Sequence, residues 1–210
     1  MTGGRAWVGI DPGYNDTGIV VRRGPTLMFH TIVHRDHDEA TADAKRGIQV
    51  GPRYGMALAA AVTDVVGRVW AVDGHEPVRV AVEDLTAPGG RVKSADGSQR
   101  LVQPRHLAGA AKALAYIELT VALHPLARLV RVPPAKHGQH LLRTYPDALV
   151  TAAERQHGTN RGARHNADLN HCRSAWDIAG GGPTADRITI ALDITRAAIA
   201  GGRSSQGDPK

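Results

Sequence analysis

Three β-rich runs lie within the first 34 residues: Ala6 to Ile10, Thr17 to Arg22 and Leu27 to Val33. The first stops at Asp11-Pro12-Gly13, and Gly24-Pro25 separates the second from the third; Pro and Gly end strands and begin turns. Connections this short suit strands that reverse direction, so the start of the chain reads as an antiparallel meander. Apolar residues at helical spacing then predict a helix over Arg53 to Val72, followed by a fourth strand, Val78 to Val82. An Ala-rich helix, Leu107 to Leu123, and a fifth strand, Leu126 to Val132, closed by Pro133-Pro134, come next. A meander followed by crossover units predicts an α/β fold: a mixed five-stranded sheet, its first three strands antiparallel, flanked by helices.

The rest of the chain is less regular. His34 to Pro52 is polar with little periodicity, and residues 86 to 103 read as a loop containing Gly89, Gly90 and Gly97. Helices are expected over Pro134 to Arg143 and Pro146 to Gln156, then a polar, basic loop from Gly158 to Asn170. Two further helices, Arg173 to Ala179 and Thr184 to Ala200, are expected to be separated by Gly180-Gly181-Gly182-Pro183. With no repeat and no second domain, residues 1–200 read as one domain and 201–210 as a disordered tail. Only one Phe, four Tyr and three Trp are present, so the core must be built from aliphatic residues. A single cysteine, Cys172, excludes an internal disulfide framework and fits a reducing compartment. The first residues lack an apolar stretch and no run of 18 apolar residues occurs, so the expectation is a soluble, cytoplasmic protein without a membrane partner.

Three acids stand where the elements can bring them together. Asp11 closes the first strand, Glu83 closes the fourth, and Asp177 lies on a C-terminal helix. If strands one and four are neighbours, their terminal carboxylates meet, and hard divalent cations such as Mg²⁺ take oxygen ligands of this kind. Two such ions, about 4 Å apart, activate a water and steady the leaving oxygen of a phosphodiester. The plainer alternative is that Asp11 caps the turn before Gly13 while Glu83 and Asp177 are simply solvated.

The residues around these acids carry a resemblance. Gly9-Ile10-Asp11-Pro12-Gly13 followed by Thr17-Gly18 resembles the first-strand signature of the RuvC family of Holliday-junction resolvases. Val80-Ala81-Val82-Glu83-Asp84 is similar to that family's Glu-bearing strand, and Arg173-Ser174-Ala175-Trp176-Asp177-Ile178-Ala179 to its final Asp-bearing helix, the phage-type branch most of all. Pro104 to Ala110 stands where the family has a Gly-containing helix after a DNA-facing loop. The resemblance implies an RNase H-like fold, a homodimer, and hydrolysis of phosphodiesters in branched DNA with Mg²⁺, or Mn²⁺ in its place, at two ions per site. It implies Asp11, Glu83 and Asp177 as catalytic residues and metal ligands, a metal-activated water as nucleophile, no small-molecule organic cofactor, and a place in the nucleoid or a phage-infected cell. The sequence departs from the family at Ser174, where a second Asp or a His is usual one helical turn before the last Asp; Asp168, Asn170 and His171 are the nearby substitutes.

Charge is distributed unevenly. The chain carries a formal +6, while residues 86–106 hold Arg91, Lys93, Arg100 and Arg105 against Asp96 alone, a net +3. Residues 128–164, including Arg131 and Lys136, are net +5, which leaves the remainder slightly acidic. Cations on a Gly-containing loop directly after Glu83 suit a phosphate backbone followed without base reading, and Arg91, Lys93, Arg100, Arg105, Arg131 and Lys136 are the candidate DNA contacts. His165, His171 and Cys172 do not make a zinc site, for want of a fourth ligand and paired-cysteine spacing. Two other readings keep the residues but change the function: an RNase H-like nuclease that processes RNA, and a branched-DNA binder whose metal site has decayed at Ser174.

Overall fold

The computed structural model describes residues 4–74, 76–85, 91–93, 99–101, 104–135, 137–157 and 167–203, with the backbone alone for 91–93, 99–101, 104–106, 157, 167–168 and most of 193–203. Strands β1 (Ala6–Asp11), β2 (Asp16–Arg23) and β3 (Thr26–His34) form the expected antiparallel meander. Helices α1 (His37–Lys45) and α2 (Pro52–Asp73) lead to β4 (Val78–Glu83), which pairs parallel with β1. A two-stranded hairpin, β5 (Arg91–Lys93) and β6 (Gln99–Leu101), precedes α3 (Pro104–Leu123) and β7 (Ala127–Val132), which pairs parallel with β4. The sheet order is β3-β2-β1-β4-β7. This is the mixed five-stranded sheet the sequence predicts.

The two faces of β1 show how the sheet is covered. Successive side chains on a strand point to opposite faces, and Val8 and Ile10 are buried with Tyr54, Leu58, Val62 and Val66 of α2 and Ala113, Ile117 and Val121 of α3. Trp7 is buried on the other face with Ile178, Ala179 and Ala185 of α5 (Ala167–Arg203). Helix α2 begins with Pro52 at its first position, where the missing N–H costs no hydrogen bond. By length and composition α2 is apolar enough to cross a membrane, but its Tyr54-to-Val69 stripe is spent on the aliphatic core.

Helix α5 corrects the sequence reading most. It runs unbroken for 37 residues, about 55 Å at 1.5 Å per residue, through Gly180-Gly181-Gly182 and with Pro183 inside it. It also continues to Arg203, three residues into the expected tail; residues 204–210 lie outside the described ones. Glycine and proline break a helix that packing does not hold, and here packing holds it. A side chain at Gly182 would come within 2.4 Å of the Trp7 ring, and one at Gly180 within 2.7 Å of the Arg22 guanidinium. That guanidinium lies 3.8 Å over the Trp176 ring and donates to the Trp176 carbonyl. The three glycines are where the helix meets the sheet.

Three other expectations change. The polar stretch after β3 contains α1, capped by Asp36, whose carboxylate accepts from the Glu39 N–H at 2.8 Å. The expected helix over Pro134 to Arg143 is instead an irregular segment ending in a single 3₁₀ turn, Leu142–Thr144. That over Pro146 to Gln156 divides into a 3₁₀ turn, Asp147–Leu149, and α4 (Ala152–His157). A glycine at 138 with φ +72° is incompatible with a continuous helix there. Leu142, Tyr145 and Leu149 pack against Cys172 and Trp176 of α5, and Arg173 makes a fully buried ion pair with Glu154 of α4 at 3.1 Å.

Candidate active site

The parallel register of β1 and β4 pairs Ile10 with Val82, so Asp11 and Glu83 are the next positions on adjacent strands, at their carboxyl ends. That edge is where open α/β sheets place their ligands. The turn after Asp11 is fastened from below: the Gly13 N–H donates to Thr17 Oγ1 at 3.3 Å, and Thr17 Oγ1 lies 2.8 Å from the buried Tyr54 hydroxyl of α2. Burial pushes that phenol above its ordinary range, so it stays neutral there.

The third element of the site is α5, and two glycines let it reach the strands. A Cβ on Gly9 would stand 2.0 Å from the Ala175 carbonyl oxygen, and one on Gly18 would stand 2.4 Å from the His171 carbonyl. The helix backbone therefore rests directly on β1 and β2. From this seat His171 Nδ1 comes within 2.8 Å of Asp11 Oδ2. Gly9 and Gly18 of the first-strand motif are explained by this approach, and Gly13 by its own turn, where a Cβ would stand 2.0 Å from the Asp16 carbonyl oxygen.

Asp177 lies six residues further along, about 1.7 turns and so about 240° around the helix axis from His171, and faces the irregular segment after β7. Its Oδ2 accepts from the Gly138 N–H and the Tyr145 hydroxyl, both at 2.8 Å, with His140 Nε2 at 3.8 Å. The same segment reaches Glu83, whose Oε1 accepts from the Ala135 N–H at 3.3 Å and has His137 Nε2 at 3.9 Å. Residues 135–145 thus touch both carboxylates. Ser174 is buried beneath them: its Oγ is 2.6 Å from where a Gly138 Cβ would be. Ser174 is the small residue that admits the glycine turn.

Electrostatics follow from this crowding. Burial pushes the Glu83 carboxyl above the ordinary glutamate range, the negative charge of Asp11 adds to the push, and His137 and the Ala135 N–H oppose it. Burial also raises the Tyr145 phenol, and its hydrogen bond to Asp177 reinforces the shift, so Tyr145 donates to that carboxylate. Among the described residues no three His, Cys, Asp or Glu side chains converge closely enough to hold an ion as they stand. The donor set itself fits a hard divalent cation. Asp11, Glu83 and Asp177 each spend one oxygen on the contacts above, leaving Asp11 Oδ1, Glu83 Oε2 and Asp177 Oδ1. A cation would relieve the repulsion between Asp11 and Glu83.

The other residues singled out from the sequence fare differently. His171 joins the site directly, whereas Cys172 is buried with its Sγ 3.7 Å from the Thr31 carbonyl of β3. Asp168 falls in the first turn of α5 with its side chain outside the described residues. Arg91 and Lys93 lie on β5, paired in register with Leu101 and Gln99; Arg100 lies on β6 opposite Val92, and Arg105 in the first turn of α3. These four side chains, and all of Lys136 and His165, are outside the described residues. The hairpin replaces the loop expected over 86 to 103; its three-residue strands are too short to show periodicity. Arg131 is already committed, to Asp84 at 3.0 Å and Glu118 at 2.6 Å. Sequence reasoning missed His137, Gly138 and Tyr145; the Gly inside His137-Gly138-Gln139-His140 is the signal that argues against a helix there.

No family model and no curated protein sequence matches the chain. Among solved structures, Thermus thermophilus RuvC matches with a TM-score of 0.50 at 16% identity, over 88% of this chain and 96% of that one. T. thermophilus RuvC in complex with Holliday junction substrate matches with a TM-score of 0.49 at 15% identity, over the same shares. The chain has a RuvC-like fold, the RNase H-like α/β sheet with its flanking helices.

Proposed function

We propose that the protein is a Mg²⁺-dependent endonuclease that cuts four-way DNA junctions as a homodimer. The observation that carries this reading is the meeting of Asp11 and Glu83 at the ends of adjacent parallel strands with His171 brought to Asp11 by α5. Asp11 and Glu83 would hold the metal, with His171 and Asp177 completing the set, and Mn²⁺ would substitute. Bound there, two such ions would activate a water and neutralise the leaving oxygen.

The chain's own residues have separate tasks. Tyr145 and the Gly138 N–H fix Asp177 through one oxygen, which orients the other. His137 and the Ala135 N–H do the same for Glu83. Outer partners of this kind typically matter 10–100-fold for metal affinity or activity. The basic hairpin directly after Glu83 would follow the phosphate backbone. Junction DNA as the substrate rests on the sequence motifs and on symmetry: a twofold dimer offers two equal sites to a near-symmetric junction. His171 beside Asp11 supplies a donor that Ser174 lacks, which favours an active site over a decayed one.

The test is cleavage with Mg²⁺ of a four-way junction, a linear duplex and a structured RNA, with Asp11→Asn as control. Paired nicks in the junction alone, absent in the variant, support the reading. Cleavage of RNA in preference, or binding without cleavage in both Mg²⁺ and Mn²⁺, overturns it.

A further inference from the structure

Residues of the segment 141–155, Tyr145 among them, line an open pocket of about 640 Å³, within the range of small-molecule sites. Its walls are of two kinds. Leu141, Val150 and the Tyr145 ring present apolar surface, and Leu141 is 62% exposed although it is a large aliphatic residue. Arg143 and Arg155 supply the positive charge. Arg155 is immobilised and neutralised by Asp147, with its Nη1 2.6 Å from Oδ1 and its Nη2 bonded to the Asp147 and Val150 carbonyls. Arg143 is exposed and makes no hydrogen bond or ion pair among the described residues.

An apolar wall with one uncommitted guanidinium beside it matches a flat heteroaromatic ring attached to a phosphate. Bases stack on apolar and aromatic surfaces without regard to sequence, and Arg adds stacking to its phosphate contact. A bare anion would gain nothing from Leu141 and Val150, and an aliphatic ligand nothing from Arg143. The location adds a second argument. The Tyr145 ring forms a wall of the pocket while its hydroxyl holds Asp177 at 2.8 Å. We propose that this pocket binds one nucleotide of the nucleic-acid substrate, its base against Leu141 and Val150 and its phosphate on Arg143. The proposal rests on the nuclease reading for the origin of the nucleotide, though not for the binding itself.

The test uses the full chain and two readouts. In the first, isotope-labelled protein is titrated with thymidine 5′-monophosphate, thymidine and inorganic phosphate, and amide and methyl resonances are followed by NMR. Shifts at Leu141, Arg143 and Val150 with the nucleotide, weakened about tenfold in Arg143→Ala and in Leu141→Ser, support the pocket. No shifts there, or equal shifts with phosphate alone, overturn it. In the second readout the same variants are assayed for binding and cleavage of junction DNA. Lower junction affinity with the metal-dependent rate at saturation retained supports the proposal; unchanged affinity overturns it. Nucleotide binding by a wild-type protein that cuts no nucleic acid supports the pocket and sinks the nuclease reading. Junction cleavage with no nucleotide effect does the reverse.

Discussion

The strand ends that carry Asp11 and Glu83 and the segment that covers them, residues 133–157, are built on opposite principles. Val8, Ile10, Val80 and Val82 sit at 0% exposure in an aliphatic core and hold the two acids by regular backbone pairing. The covering segment has two 3₁₀ turns and a six-residue helix; Leu142, Tyr145, Leu149 and Val150 seat it on α5, and polar contacts tie it to the acids and to Arg173: Gly138 and Tyr145 to Asp177, Ala135 to Glu83, Glu154 to Arg173. The sheet fixes where the charges are. The segment fixes which way they turn. Position and orientation therefore come from different parts of the molecule, and local opening is expected to start in the segment, whose backbone is irregular.

Several substitutions would break or sharpen this contrast. Asp11→Asn removes a charge from the rigid side, so junction cleavage should fall by a factor on the order of 10³, beyond what loss of an outer partner costs, while junction binding is retained. A gel assay of both properties on one preparation checks it. Tyr145→Phe acts on the other side: cleavage should drop about 10–100-fold, with the denaturation midpoint shifted by no more than the roughly 1 kcal/mol of one hydrogen bond. A large loss of stability would show that Tyr145 supports the fold and not Asp177. Replacing Arg91, Lys93 and Arg100 together by Ala should weaken junction binding and make its dependence on log salt shallower by about 2 to 3, as read in a salt titration.

Gly18→Ala probes the seat of α5. A methyl group 2.4 Å from the His171 carbonyl forces the helix to move, at about 1–3 kcal/mol, and urea unfolding followed alongside cleavage should show both reduced. The smallest effect concerns pH. Glu83 holds its proton to higher pH in the folded protein than in the unfolded chain. Without metal, its contribution therefore lowers stability as pH rises from about 4.5, the ordinary value, through the raised one. Glu83→Gln should flatten that slope in thermal melts across pH 4 to 7.

The same contrast decides how much was legible in the sequence. Asp11 and Glu83 could be placed because each follows a strand marked by β-branched residues and a clear stop, and their adjacency follows from one crossover through α2. The fold was legible for that reason. Asp177 could be placed on a helix, yet its partners could not, since they come from a segment whose irregular backbone leaves no period to read. Gly180 to Pro183 misled for a physical reason: local propensity argues for a break, and only contact with Trp7 and Arg22 reveals why the helix continues. Helix α1 did carry a signal, Asp36 three residues before Glu39, which is a capping pattern. It lacks an apolar stripe because its buried residue, Asp43, pairs with Arg35 at 2.8 Å.

The bare contact of α5 on Gly9 and Gly18 also sets a tolerance. Where a helix is cushioned on side chains, each exchange of Val for Ile beneath it changes the spacing, and neighbouring groups drift with it. Here main chain touches main chain at two points, so beside Asp11 and His171 the spacing of helix and strands is set by backbone thickness, while packing elsewhere under α5 is set by side chains such as Trp7 and Ile178. An exchange in the aliphatic core on the far face of the sheet is therefore expected to act on stability before it reaches the contact of His171 with Asp11.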